Sequence, residues 1–120
     1  MYEYKAKYIS NYDGDTLIMD VDLGFGITHR INTRLKGLDA PEIRGPDSLR
    51  AIKSKEFVIN FFTQNADTYV RTWKDAKEKY GRYLVEVFAL DRKDPDKALS
   101  LNKLLIQEGH AKAYDGGKRA

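Results

Sequence analysis

The first third of the chain alternates apolar and polar positions with a period of two. In residues 2–10, aromatic or apolar side chains alternate with polar ones, and the spacing predicts a first strand. Asn11-Tyr12-Asp13-Gly14-Asp15-Thr16 then reads as a tight turn, with Gly14 expected to supply a positive φ. Leu17, Met19, Val21 and Leu23 alternate with Ile18, Asp20 and Asp22, which predicts a second strand over 17–23. Gly24-Phe25-Gly26 is a hairpin connection, and a third strand is expected from Ile27 to Leu38. Three strands at hairpin spacing make an antiparallel meander.

The period then changes. Asp47 or Ser48 is suited to cap a helix running to about Asn65. Ala51, Ile52, Val58, Ile59 and Phe62 are expected on its core face, with Phe57 and Phe61 widening the stripe. Residues 68–73 are β-rich and predict a fourth strand, and 83–90 a fifth that is apolar on both faces apart from Glu86. Charged loops are expected at 74–79 and 91–97. Ser100 to Glu108 reads as a short helix stopped by Gly109, and the tail from His110, above all from about residue 115, as frayed. Five strands with a helix between the third and fourth is the plan of an OB-fold barrel, an α+β arrangement that is mainly β.

One hundred and twenty residues suit a single domain over 1–120 and suffice for a real core. With no cysteine, disulfides, thiolate metal sites and a Cys nucleophile are excluded. No apolar run approaches the roughly 20 residues that span a bilayer. The amino terminus has no apolar signal-peptide core, so a cytoplasmic setting is expected over a secreted one, with a phage or mobile element as one source. A monomer without a membrane partner is expected. A net charge of +3, from 21 basic and 18 acidic residues, permits an anionic partner without requiring one. Eight tyrosines and one tryptophan offer stacking surfaces for bases, although most aromatics in a small domain are core.

Three separated patches carry chemistry: Asp13 to Thr16, Arg34 to Glu42, and Tyr80-Gly81-Arg82. Pro41 cannot donate to a ladder, so the third strand should end beside Asp39 and Glu42. Antiparallel pairing sets the start of the second strand beside the end of the third, so Asp15 and Asp39 are expected to meet at one end of the barrel. Two carboxylates, a backbone carbonyl and waters suit a hard cation such as Ca²⁺. Two arginines nearby make sense if the ligand is a phosphate, which guanidinium binds bidentately. Such a set supplies what phosphodiester hydrolysis needs, with Glu42 orienting or deprotonating the water.

Asp13-Gly14-Asp15-Thr16, Arg34-Leu35-Lys36-Gly37-Leu38-Asp39-Ala40-Pro41-Glu42 and Lys79-Tyr80-Gly81-Arg82-Tyr83-Leu84 together resemble the motifs of the staphylococcal (thermonuclease) nuclease family. Their order and separations also fit, over residues 4–115. The resemblance implies a five-stranded OB barrel and Ca²⁺-dependent hydrolysis of DNA or RNA. It implies Asp15, Asp39 and the backbone carbonyl of Ala40 as metal ligands, and Glu42 as general base or water-orienting group. Arg34 and Arg82 are implied as the groups that bind and polarise the scissile phosphate. Lys79 and Tyr80 match positions that contact a terminal nucleotide phosphate, and Tyr114 matches a tyrosine near the base once a one-residue gap is allowed. Asp13 is read as shaping the turn, and His29 and His110 as surface or packing residues. The loop after Glu42 is shorter than in the family's best-known member, and a terminal helix beyond Tyr114 is not expected. The rival readings are a non-catalytic nucleic-acid-binding OB module and a purely structural or protein-interaction domain.

Overall fold

In the computed structural model, residues 2–42, 46, 48–73, 82–90 and 97–114 are described. The expected meander is present as β1 (Tyr2–Asn11), β2 (Thr16–Gly24) and β3 (Ile27–Leu35). Beyond β3 come the two-residue β4 (Leu38–Asp39), the helix α1 (Ser48–Gln64), β5 (Thr68–Trp73) and β6 (Tyr83–Leu90). The chain continues through β7 (Ala98–Ser100), α2 (Leu101–Gln107) and β8 (Lys112–Ala113). The main sheet runs β3-β2-β1-β5-β6-β7, and a parallel pairing of β3 with β6 closes its five long strands into a barrel. That closure, with a helix between the third and fourth barrel strands, is an OB fold. Among the described residues no helix is long and apolar enough to cross a membrane.

Alternation settles the inside of the barrel. Leu17 and Met19 of β2, Leu35 of β3, Val70 of β5 and Val85 and Val87 of β6 are fully buried, joined by Val58 of α1 and Leu101 and Leu105 of α2. The inward face of β5, which its sequence left open, is Thr68 and Val70; the Thr68 hydroxyl is satisfied by the Ala6 carbonyl at 2.6 Å. At the β2–β3 connection Phe25 and Gly26 both have positive φ (57° and 74°), as a type I′ turn requires.

Several expectations need correction. The third strand does not run to Leu38. It stops at Leu35, turns at Lys36-Gly37 with Gly37 at φ 85°, and Leu38–Asp39 pairs instead with Lys112–Ala113. Residues 110–114 are therefore not frayed: Ala111 is buried and the Tyr114 amide donates to the Gly37 carbonyl at 2.8 Å. The short β7 was not anticipated either.

The buried stripe of α1 is Ala51, Ser54, Val58 and Phe61, with Phe57 and Phe62 half-buried against it, while Ile52 and Ile59 face solvent. A hydrophobicity pattern passes over Ser54, which is fully buried and donates to the His110 carbonyl at 2.6 Å. Gly14 explains why that position is small. A Cβ on Gly14 would stand 2.8 Å from the Ser54 Cβ and 3.0 Å from the Ala40 Cβ, so Gly14 serves close approach and not positive φ. His110 packs its ring against Phe57 at 4.8 Å, as a packing residue does, and His29 is exposed. The loop at 74–79, nearly all of that at 91–97 and the tail from 115 lie outside the described residues.

Candidate active site

Asp15 is placed by the turn between β1 and β2. The Asp13 carboxylate accepts the amides of Asp15 (3.1 Å) and Thr16 (3.0 Å), bending the chain locally as short acidic side chains do. Asn11 ties this turn to the helix, donating to the carbonyls of Asp13 (3.1 Å) and Lys55 (3.3 Å). Asp13 thus shapes the turn. The Asp15 carbonyl accepts the Leu35 amide at 2.8 Å, fixing its main chain beside the end of β3.

Asp39 arrives by the turn at Gly37. The break in β3 and the β4–β8 ribbon carry the chain back across the end of the barrel, where the Ala40 amide donates to Asp15 Oδ2 at 3.0 Å. Asp15 and Ala40 are both buried, so this bond fixes the Ala40 backbone against the carboxylate.

Arg34 lies between the two acids. Its Nη2 is 3.2 Å from Asp39 Oδ1 and 3.8 Å from Asp15 Oδ2. The Tyr114 ring lies 5.9 Å from the guanidinium carbon, so Tyr114 does join the site. Arg82, directly before β6, reaches the same point. Its Nη1 donates to the Thr16 hydroxyl at 3.2 Å, and that hydroxyl donates to Asp15 Oδ1 at 3.2 Å. Thr16 is the site residue that sequence reasoning missed, though it stood inside the first motif. Residues 15, 34, 39 and 82 therefore converge on one patch.

Burial raises the Asp15 pKa to about 6, with the neighbouring Asp13 carboxyl adding to the rise; the Ala40 amide and Arg34 oppose it. The site thus holds a desolvated acid whose charged form would gain from a further cation. No three His, Cys, Asp or Glu side chains gather into a metal cluster among the described residues. A cation here would rest on Asp15 and Asp39 and fill its shell with backbone carbonyl and water, as hard cations accept. The donor set fits. Glu42 follows Pro41 and is exposed. Lys79 and Tyr80 lie outside the described residues.

Fold and site define a small OB-fold protein with two carboxylates and two arginines gathered at one end of its barrel. The family model of the staphylococcal nuclease homologue matches residues 32–119, well over half of the chain, and the chain belongs to that nuclease and nucleic-acid-binding family. The match includes Arg34, Asp39, Ala40, Glu42, Arg82 and Tyr114. Asp15 and Thr16 precede it and join the site through the fold. The comparison with curated proteins gives no match.

Proposed function

We propose that the protein is a Ca²⁺-dependent nuclease that hydrolyses phosphodiester bonds of DNA or RNA. The observation that carries this reading is Arg34 held between Asp15 and Asp39, with Arg82 brought to the same point through Thr16. Two guanidinium groups beside two carboxylates suit a phosphate bound together with a cation. Asp15, Asp39 and the Ala40 carbonyl would hold the ion; when bound, Ca²⁺ supplies charge neutralisation of the phosphate and orientation of water.

The chain's own residues do the rest. Arg34 and Arg82 bind the non-bridging phosphate oxygens and stabilise the charge that grows on them as water attacks phosphorus. Glu42 accepts the proton of that water. The P–O bond to the leaving strand breaks, and its oxygen takes a proton from solvent. Tyr114, beside Arg34, lines the approach to the phosphate.

The test is cleavage of a quenched single-stranded oligonucleotide at mildly alkaline pH, with Ca²⁺, with Mg²⁺ and with chelator, beside an Arg34→Ala/Glu42→Ala control. Cleavage with Ca²⁺ that disappears in chelator and in the control is expected. Binding without cleavage under any metal would instead mark a non-catalytic nucleic-acid-binding module.

A further inference from the structure

Arg34 is followed, on its own face of the sheet, by a second cation. Side chains two apart on a β-strand point the same way, about 6.6 Å along it. Lys36 stands just past the end of β3, but its amide donates to the Val85 carbonyl at 2.8 Å, so the ladder to β6 continues through it. Its exposed side chain therefore rises from the outer face of the barrel, as that of Arg34 does. The register of this face sets Thr16 opposite Arg34, Arg34 opposite Leu84, and Leu84 opposite Trp73. Lys36 crosses β6 toward the far end of that row, where its ammonium lies 4.1 Å from the centre of the Trp73 ring.

The charge of this ammonium is held in place without being neutralised. Arg71, on the same face of β5 as Trp73, also covers a ring, 4.8 Å from the centre of Phe88, but it is paired with Glu3 at 3.0 Å. Lys36 differs: among the described residues no carboxylate pairs with it. Glu86, next after Leu84 on that face of β6, accepts the Ser100 hydroxyl at 2.6 Å instead. A half-buried indole restricts where the lysine can reach, while its N–H groups stay open to a stronger anion.

We infer that Lys36 binds a second phosphate of the substrate, adjacent to the one held by Arg34 and Arg82, and that Trp73 is the residue that positions it. A nucleic acid repeats its charge at every nucleotide, and a β-strand repeats its outward side chains at every second residue. Arg34 and Lys36 thus offer two cations in sequence to a backbone that lies along this face. The nucleic acid leaves the scissile phosphate over the outer face of β6, with Leu84 beneath it. Lys36 touches no reacting atom, so its contribution is to grip and not to chemistry. The inference rests on the nuclease reading for the identity of the ligand.

The experiment measures binding of a labelled single-stranded oligonucleotide by anisotropy, with Ca²⁺ and over a range of salt concentrations, in the Glu42→Gln background that spares the substrate. Lys36→Met should lower the slope of log affinity against log salt by about 0.7, the share of one phosphate contact, and so weaken binding about fivefold near 0.1 M salt. Lys36→Arg should restore both. A mononucleotide with a single phosphate should bind the parent and Lys36→Met alike, because it cannot span the two cations. Trp73→Leu keeps the charge and loses its support, so the slope should stay while affinity falls about threefold. With Glu42 in place, the loss in Lys36→Met should fall on KM and leave kcat. An unchanged slope in Lys36→Met, no rescue by arginine, weaker mononucleotide binding, or a loss in kcat with KM kept would overturn the role of Lys36 and leave the nuclease reading standing. Full affinity in Trp73→Leu would overturn the positioning by Trp73. A parent protein that neither binds nor cleaves the oligonucleotide would overturn both readings.

Discussion

Asn102, in the first turn of α2, closes the barrel where the β3–β6 ladder runs out. Its side-chain oxygen accepts the Val87 amide at 3.1 Å, and its amide donates to the carbonyls of Lys36 (2.9 Å) and Val85 (3.1 Å). The residue is 4% exposed, so water cannot easily replace these bonds. In Asn102→Ala the Val85 carbonyl keeps the Lys36 amide at 2.8 Å, but the Val87 amide and the Lys36 carbonyl lose the partner that Asn102 gave them. At about 1–3 kcal/mol for each orphaned group, the expected loss is about 3 kcal/mol. That is a large part of the roughly 5–15 kcal/mol a domain possesses.

Urea denaturation should show a lower midpoint at unchanged m, and Tm should fall by about 10 °C. Asn102→Asp sharpens the test. It keeps the acceptor for Val87 but turns a carboxylate toward two carbonyl oxygens, so its folded pKa rises above the unfolded value near 3.9. A raised acid pKa means that the folded state binds the extra proton. The variant should be most stable near pH 4 and lose stability as pH climbs toward its folded pKa. A loss below about 1 kcal/mol for Asn102→Ala, or a pH-independent deficit for Asn102→Asp, would refute the reasoning.

Gly14→Ala should cost about 1–3 kcal/mol by overpacking, because its Cβ would meet the short, rigid Cβ atoms of Ser54 and Ala40. The same push displaces Asp15, so thermal melts and activity assays should fall together; a neutral melt would mean that the turn has room. Arg34→Lys keeps the charge and loses the planar fork, and should lower turnover about 100-fold or more. A loss under about tenfold would remove Arg34 from the phosphate clamp. Phe25, fully exposed at φ 57°, gains nothing from its ring, so Phe25→Asn should raise stability by about 1 kcal/mol in the same melts.

The motifs were readable because each lies within a local run. Asp13 to Thr16 builds its own turn, and Arg34 to Glu42 builds a strand exit, so short-range chemistry dictates both. Thr16 and Asn102 were not readable, since their partners lie 66 residues away at Arg82 and at Lys36. Ser54 was hidden for a related reason: a polar residue on a helix looks solvated until the glycine it must admit is known.

By itself, then, the chain determined the long strands, the two helices and the residue types of the site, because periodicity and turn chemistry act over a few residues. It did not determine that β3 stops at Leu35 or that residues 112–113 return to pair with Leu38–Asp39. That break aims Asp39 and Ala40 back at Asp15, and it exists because the barrel closes there, with Lys36 bonding to Val85 of β6 and to Asn102 of α2. Local pattern supplied the groups; barrel closure, a contact between distant segments, decided which of them meet.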